Sequence, residues 1–314
     1  MNVIAGCNCT GTGLGNSGYP NVKPFGVTSG IYMVPILASD GTRNGLDLTS
    51  TDFGADLLAM INNPDPSKRA YPYLDLKSVT PAEEDATFAT DDRGVRTWLR
   101  NGIQSITYSQ WGVTEQYFAK VNSACVDFGI YEVDNCGNLK GQLEGENLFP
   151  RPMNSQSFNV KFLPATNEAP SQVMFNIDYN INTSNGNQWM LPFSEFGDLN
   201  LLQLKGMIDV NLILVDVVSA TSFVIDAEMD YGFANEKKAW SGAVVADFTL
   251  FNKTTDLEVT KTVVESTAVP GRYTFTVPAI TVSNEVILDA HKASTGNLLN
   301  GFEGVPAEFI YSWT

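Results

Sequence analysis

The sequence predicts a mainly-β protein built as two units, and three observations carry that expectation. Short runs of alternating apolar residues recur along the 314 positions, bounded by turn dipeptides such as Asp40-Gly41 and Asn101-Gly102. Helix-period apolar spacing is confined to two short stretches in the first half. Hydrophobic residues make up 43% and charged residues 17% of the chain, the composition of a folded protein long enough to bury two cores.

The first thirty residues, with Gly11, Gly13, Gly15, Gly18, Pro20 and Pro24, are expected to form a flexible arm without regular structure. Ile31–Ala38 reads as a first strand, and Asp40-Gly41 turns the chain into a second run ending at Leu48. Leu57, Leu58 and Ile61 share a helical face in Ala55–Ile61, and Asn62-Asn63-Pro64 stops that helix. Tyr73–Val79, Ala86–Thr90, Val95–Leu99 and Ile103–Trp111 then read as a β-meander. A second helix is expected at Thr114–Ala124, where Thr114 can cap and Tyr117, Phe118, Val121 and Cys125 form a stripe. Strands follow at Phe128–Val133, Leu139–Leu143, Phe158–Leu163 and Val173–Ile181, so the first unit runs over residues 31–185. The Thr-, Ser- and Asn-rich stretch Asn182–Gln188 is the expected hinge.

The second unit, residues 200–314, offers seven strand candidates and no helix-period segment. They are Gly206–Leu214, Ser222–Glu228, Ala239–Ser241, Ala243–Phe251, Leu257–Val264, Tyr273–Val277 and Val286–Leu288. That count predicts an immunoglobulin-like β-sandwich, although Trp240 has no cysteines around it in this half to complete the antibody-type signature.

The chemistry in the sequence is sparse, and no catalytic, cofactor-binding or metal-ligating residue is assigned. His291, the single histidine, falls after a strand and reads as an exposed loop residue rather than a general base. Gly13–Gly18 matches G-x-G-x-x-G, but Pro20 and Pro24 deny it the helix that a dinucleotide site requires. Glu83-Glu84-Asp85 and Asp91-Asp92 flank one strand; a glycosidase pair is imaginable there, and solvated strand ends are the simpler reading. Asp178-Tyr179-Asn180-Ile181-Asn182 opens like a calcium loop, then breaks the pattern at Thr183 and Trp189. Cys7, Cys9, Cys125 and Cys136 read as free thiols; a zinc site would need all four to converge. Nineteen basic against 35 acidic residues give a net charge of −16, which repels nucleic acid and anionic membranes. The start lacks a signal-peptide pattern and no run has membrane-spanning length, so synthesis in a cytoplasm is expected.

One stretch resembles a known family. Thr87-Phe88-Ala89-Thr90-Asp91-Asp92-Arg93-Gly94, Arg100-Asn101-Gly102-Ile103-Gln104-Ser105 and Phe128 to Gly141 together resemble tail tube subunits of tailed bacteriophages, particularly phages of Bacteroidetes hosts. Lys68-Arg69-Ala70-Tyr71-Pro72 looks like the same group, and the likeness spans roughly residues 30 to 180. Gly242 to Asn252 and Pro270 to Phe275 resemble the immunoglobulin-like appendage often fused to such proteins. The resemblance implies a tail-tube-like β-sandwich or barrel with one flanking helix, whose sheets join between subunits into rings that stack as a tube. It implies a non-enzymatic virion protein, assembled in the host cytoplasm, with copies of itself and other tail proteins as partners. Genomic DNA would pass through an acidic lumen without sequence-specific binding, and no membrane or cofactor is involved. A capsid-decoration or tail-adaptor protein, and a carbohydrate-binding or hydrolytic surface protein, are the alternative expectations.

Overall fold

The computed structural model describes residues 25–100, 102–113, 127–154, 156–179, 188–229 and 238–312. The helix expected at Thr114–Ala124, the arm before residue 25 and the hinge apart from Gln188 lie outside them. The protein is mainly β, and the chain divides into two compact units, Met1–Leu204 and Lys205–Thr314.

In the first unit a large antiparallel sheet runs in the order β2 (Leu46–Asp47), β10 (Asn147–Phe149), β9 (Leu139–Glu144), β8 (Phe128–Asp134), β1 (Thr28–Pro35) and β3 (Tyr71–Leu74). β11 (Arg151–Pro152) adds to β8 and β14 (Gln188–Leu191) adds to β9. β1 and β8 lie at the centre, in register from Gly30 opposite Val133 to Pro35 opposite Phe128. Alternation sends their side chains to opposite faces, and both faces are covered. Tyr32, Val34, Tyr131 and Val133 point to one side, where Phe53, Leu57 and Ile61 of helix α1 (Phe53–Ile61) and Phe196 and Leu201 of two short 3-10 turns close the core. Ile31, Met33, Phe128 and Ile130 point to the other, against Tyr108, Val173, Phe175 and Ile177 of a second sheet. That sheet has the order β12 (Asn159–Leu163), β13 (Gln172–Asp178), β7 (Gln104–Trp111) and β4 (Leu76–Glu83). Among the described residues the result is two packed sheets with one flanking helix.

Helix α1 begins at Phe53, two residues before the expected start at Ala55, because Asp52 caps it, its carboxylate accepting from the Ala55 amide at 2.9 Å. Beyond its end, the buried Arg69 guanidinium donates to the Asn63 carbonyl at 2.7 and 2.8 Å, which secures the Asn-Asn-Pro stop. The Tyr73–Val79 run is two strands rather than one. Asp75 adopts a left-handed φ of 61°, and the chain passes there from β3 in the large sheet to β4 in the smaller one. The expected meander is also different: among the described residues β5 (Thr87–Thr90) pairs only with β6 (Arg96–Arg100), while β4 pairs with β7, so one hairpin is nested beyond another. The turn signals mark where chains reverse, but not which strands then pair.

Among the described residues the second unit contains ten strands, three more than the seven expected. Their path is β19 (Leu257–Glu258), β18 (Phe248–Asn252), β22 (Glu285–Lys292), β23 (Gly301–Val305), β15 (Met207–Ser219), β16 (Ser222–Met229), β21 (Arg272–Thr276) and β20 (Thr262–Glu265). β17 (Lys238–Ala239) pairs with β16 and β24 (Ala307–Ile310) with β22. β23 was missed because Gly301 and Gly304 break its alternation, and it runs parallel to β15. The core centres on Trp240, Phe248, Phe223, Tyr273 and Phe275; Phe223 and Phe275 stack at 4.8 Å, and the Tyr273 hydroxyl donates to the Trp240 carbonyl at 2.7 Å.

Replacing Phe275, fully buried in this core, by Ala is expected to cost about 3–5 kcal/mol of unfolding free energy. Trp98→Ala, on an exposed strand, is expected to cost under about 1 kcal/mol. Urea titration of both variants checks the contrast.

Candidate assembly surface and a buried polar cluster

Among the described residues of the first unit, the nested hairpin groups four exposed large apolar side chains, Phe88, Val95, Trp98 and Leu99. Its inner half, β4 and β7, belongs to the smaller sheet; its outer half, β5 and β6, pairs with nothing else among the described residues. At the junction Gly102 passes so near the other strand that a Cβ there would lie 1.5 Å from the Glu84 carbonyl oxygen, while the Glu84 amide donates to the Ile103 carbonyl at 3.0 Å. Only glycine permits that approach. At the tip, the Asp91 carboxylate accepts from the Arg93 and Val95 amides at 2.9 and 2.8 Å, and Gly94 takes a φ of 80°. The hairpin is thus locally well formed, yet exposed along β5 and at Arg96–Leu99 of β6.

Its side chains do not suit water. Phe88 stands opposite Trp98 across the strands, and the Arg96 guanidinium lies 4.5 Å from the Phe88 ring centroid. Phe88 is 41% exposed, Trp98 55%, Leu99 56% and Val95 58%. A lone two-stranded ribbon is marginal in water, and exposed aromatics on one mark a contact surface. The hairpin also carries Arg93, Arg96 and Arg100 beside Asp91 and Asp92, in a chain of net charge −16.

The face bearing α1 is acidic. No lysine or arginine occurs in residues 44–62, 141–150 or 188–204. β2 pairs with β10, placing Asp47 beside Asn147 and Glu146, and α1 packs on the 3-10 turn Phe193–Phe196, with Phe53 6.3 Å from Phe196 between ring centroids. Asp47, Asp52, Glu146, Glu195 and Asp198 are exposed there and Asp56 is half-buried, none in an ion pair among the described residues.

A third feature lies between the sheets. Glu132 of β8 is buried, its Oε1 accepting from the hydroxyls of Tyr108 at 2.7 Å and Tyr179 at 2.8 Å, while Lys140 Nζ lies 3.3 Å from Oε2. Arg151 stacks over the Tyr179 ring at 3.5 Å and donates to Gln104. Burial pushes both phenols well above their ordinary pKa, so they remain donors to the carboxylate. The depression lined by Glu132, Lys140, Arg151 and Gln188 is shallow, and both oxygens of the Glu132 carboxylate are met by donors or a cation.

The residues singled out in the sequence do not converge. His291 lies in β22 rather than a loop, half-buried opposite Glu303 of β23 with Nδ1 3.9 Å from Oε2; the strand simply runs four residues past Leu288. Cys136 is disulfide-bonded rather than a free thiol, which removes its sulfur as a thiolate ligand for zinc; its partner lies outside the described residues. The Cys136 amide and the Asn138 amide and side chain bond the buried Asp134 carboxylate, which also accepts from Gly26. Asp91 is engaged in its turn, and Asp178 accepts from Ser105 at 2.6 Å in the smaller sheet. Among the described residues no three His, Cys, Asp or Glu side chains are grouped to hold a metal ion, and no helix is long and apolar enough to cross a membrane. The hairpin's aromatics were visible in the sequence; that they stay in water was not, since exposure depends on which strands pair.

No protein-family model matches the chain, and neither does any curated protein or solved structure.

Glu132→Gln, which weakens the acceptor for two tyrosines and removes the charge facing Lys140, is expected to lower stability by about 1–3 kcal/mol in urea titration. Acid should also destabilise the protein. Hydrogen bonds from Arg272 hold Asp226 low and those from Arg43 hold Glu144 low, and turn donors from Thr49 and Ser67 do the same for Asp47 and Asp65. A carboxyl whose folded pKa is depressed stabilises the fold above its unfolded pKa, and loses that contribution as pH falls through the folded one. Asp289, pushed up by burial, acts in the opposite sense. Hydrogen bonds from Lys68 and Thr42 hold Asp40 low as well; with five lowered against one raised among the described residues, the melting temperature is expected to fall between about pH 4 and pH 2, and thermal melts across that range test the sign.

Proposed function

We propose that this protein is a virion structural subunit that assembles with copies of itself into the stacked rings of a phage-type tail tube. The observation that carries the reading is the nested hairpin. A folded strand ribbon that leaves Phe88, Val95, Trp98 and Leu99 in water has an unmet need for a protein surface. The segment is also the one whose sequence resembles tail tube subunits. Open strand edges agree with the reading: β4 ends the smaller sheet, and β15 pairs with β23 only from Met207 to Asn211, leaving Leu212–Ser219 uncovered on that side by any strand among the described residues. Closed rotational symmetry satisfies such edges without leaving aggregation-prone ends.

On this reading the second unit is an immunoglobulin-like appendage, and the net charge of −16 lets DNA pass without adhering. The partners are other copies of the chain and the remaining tail proteins, and no reaction is catalysed.

Purified protein examined by electron microscopy over rising concentration is expected to form rings or tubes. Phe88→Ser/Trp98→Ser should abolish them while leaving the melting temperature within about 2 °C, because exposed side chains contribute little to the fold. Persistent monomers of the unmodified protein at high concentration would overturn the reading, and locating the subunit in intact particles separates tube from adaptor or capsid decoration.

A further inference from the structure

We infer that the disulfide at Cys136 joins the turn between β8 and β9 to Cys7 or Cys9, and so staples the start of the chain to the large sheet where the chain enters the fold. Four cysteines occur in the sequence, so within one chain the bonded Cys136 has Cys7, Cys9 or Cys125 as its partner. Cys125 is the nearest in sequence. The strand between the two rules it out.

β8 is extended from Phe128 to Asp134, and the Ile36 amide donates to the Asp127 carbonyl at 2.9 Å, so the ladder with β1 reaches back to Asp127. At about 3.3 Å per residue, Asp127 and Asp134 stand roughly 23 Å apart. Cys136 lies beyond the far end. Its amide and that of Asn138 donate to the Asp134 carboxylate, and the Asp134 amide donates to the Asn138 carbonyl, which holds residues 135–137 past the last ladder position. The two peptide links from Asp127 carry Cys125 back by at most about 7.6 Å. Cys125 therefore stays on the order of 15 Å from Cys136, whereas a disulfide requires Cα atoms within about 7 Å.

The start of the chain, in contrast, arrives at this turn. The Gly26 amide donates to Asp134 Oδ2 at 2.9 Å, the Asn135 amide donates to the Val27 carbonyl at 2.9 Å, and the Phe25 ring centroid lies 5.2 Å from Lys140 Nζ. The peptide links between Cys9 and Gly26 give far more reach than the bridge needs. The bond joins the Cys136 sulfur to one of the two sulfurs, with two protons and two electrons passing to a small disulfide oxidant that leaves as two thiols; a dithiol reductant reverses it. Once formed, the bridge backs the Gly26 and Asn135 hydrogen bonds with a covalent link. The staple belongs to a single subunit and holds whether or not subunits build tubes.

Tryptic mapping of the full chain, denatured without reductant after free thiols are blocked with N-ethylmaleimide, tests the pairing. Trypsin does not cut Lys23 before Pro24, so the peptide ending at Arg43 carries Cys7 and Cys9, while residues 121–140 carry Cys125 and Cys136 together. The two peptides are expected to be linked in the unmodified chain and in Cys125→Ser, and to separate in Cys136→Ser and in Cys7→Ser/Cys9→Ser. Amide hydrogen exchange at Gly26 and Asn135 is expected to speed up by about tenfold or more in Cys136→Ser, and equally when the unmodified chain is reduced. Separate peptides in the unmodified chain, residues 121–140 closed on themselves, a link that survives Cys136→Ser, or a link found only between two chains on a non-reducing gel would each overturn the pairing. A confirmed link with unchanged exchange would overturn the staple's hold on the entering chain.

Discussion

The first unit depends on one strand being buried on both faces. Every residue of β8 is buried, and the chain alternates Phe128 and Ile130 toward the smaller sheet with Tyr131 and Val133 toward α1. A one-residue slip would exchange the two cores, so its register against β1 is tightly specified. Glu132 falls on the inner side of this alternation, between the sheets. It is tolerated because two phenols and Lys140 meet its oxygens, and a carboxylate that needs those partners also resists a shifted register.

That rigid centre explains why the periphery can be so exposed. The smaller sheet needs only its inner face for the core, which frees β4 and β7 to run on into a ribbon beyond it. Gly102 lets the two strands cross closely enough to continue pairing, and Asp91 organises the reversal at the tip. The hairpin therefore presents its aromatics and arginines in a defined geometry instead of as a loose loop. Pre-ordering of this kind reduces the entropy lost on association. The α1 face is defined in the same way, by the Asp52 cap and the Phe53–Phe196 contact.

Several features were legible in the residues because their cause is local. Helix α1 follows from the spacing of Leu57, Leu58 and Ile61 and the stop at Asn62-Asn63-Pro64, and Asp40-Gly41, Asp92-Arg93-Gly94 and Asp134–Gly137 mark turns through their own side chains and glycine dihedrals. Reading Tyr73–Val79 as one strand failed because nothing in its apolar pattern signals that Asp75 takes a left-handed conformation. His291 was placed in a loop because the polar Asp289 and Lys292 around it hide a strand whose inward residues are Val286, Leu288 and Ala290. Cysteine count alone did not indicate that Cys136 is oxidised, since bonding depends on distances that spacing does not supply.

The sequence by itself determined that the chain is mainly β, that it has cores for two units, that it is strongly acidic and that the aromatic-arginine segment 86–100 exists. Those properties are sums over residues or patterns within a few positions. Only the tertiary structure decided that β5 and β6 pair with each other and, among the described residues, with no other strand, that Phe88 and Trp98 therefore remain in water, and that segments far apart in sequence pack together around α1. Pairing and exposure arise from contacts between residues widely separated along the chain, and local propensity does not encode them.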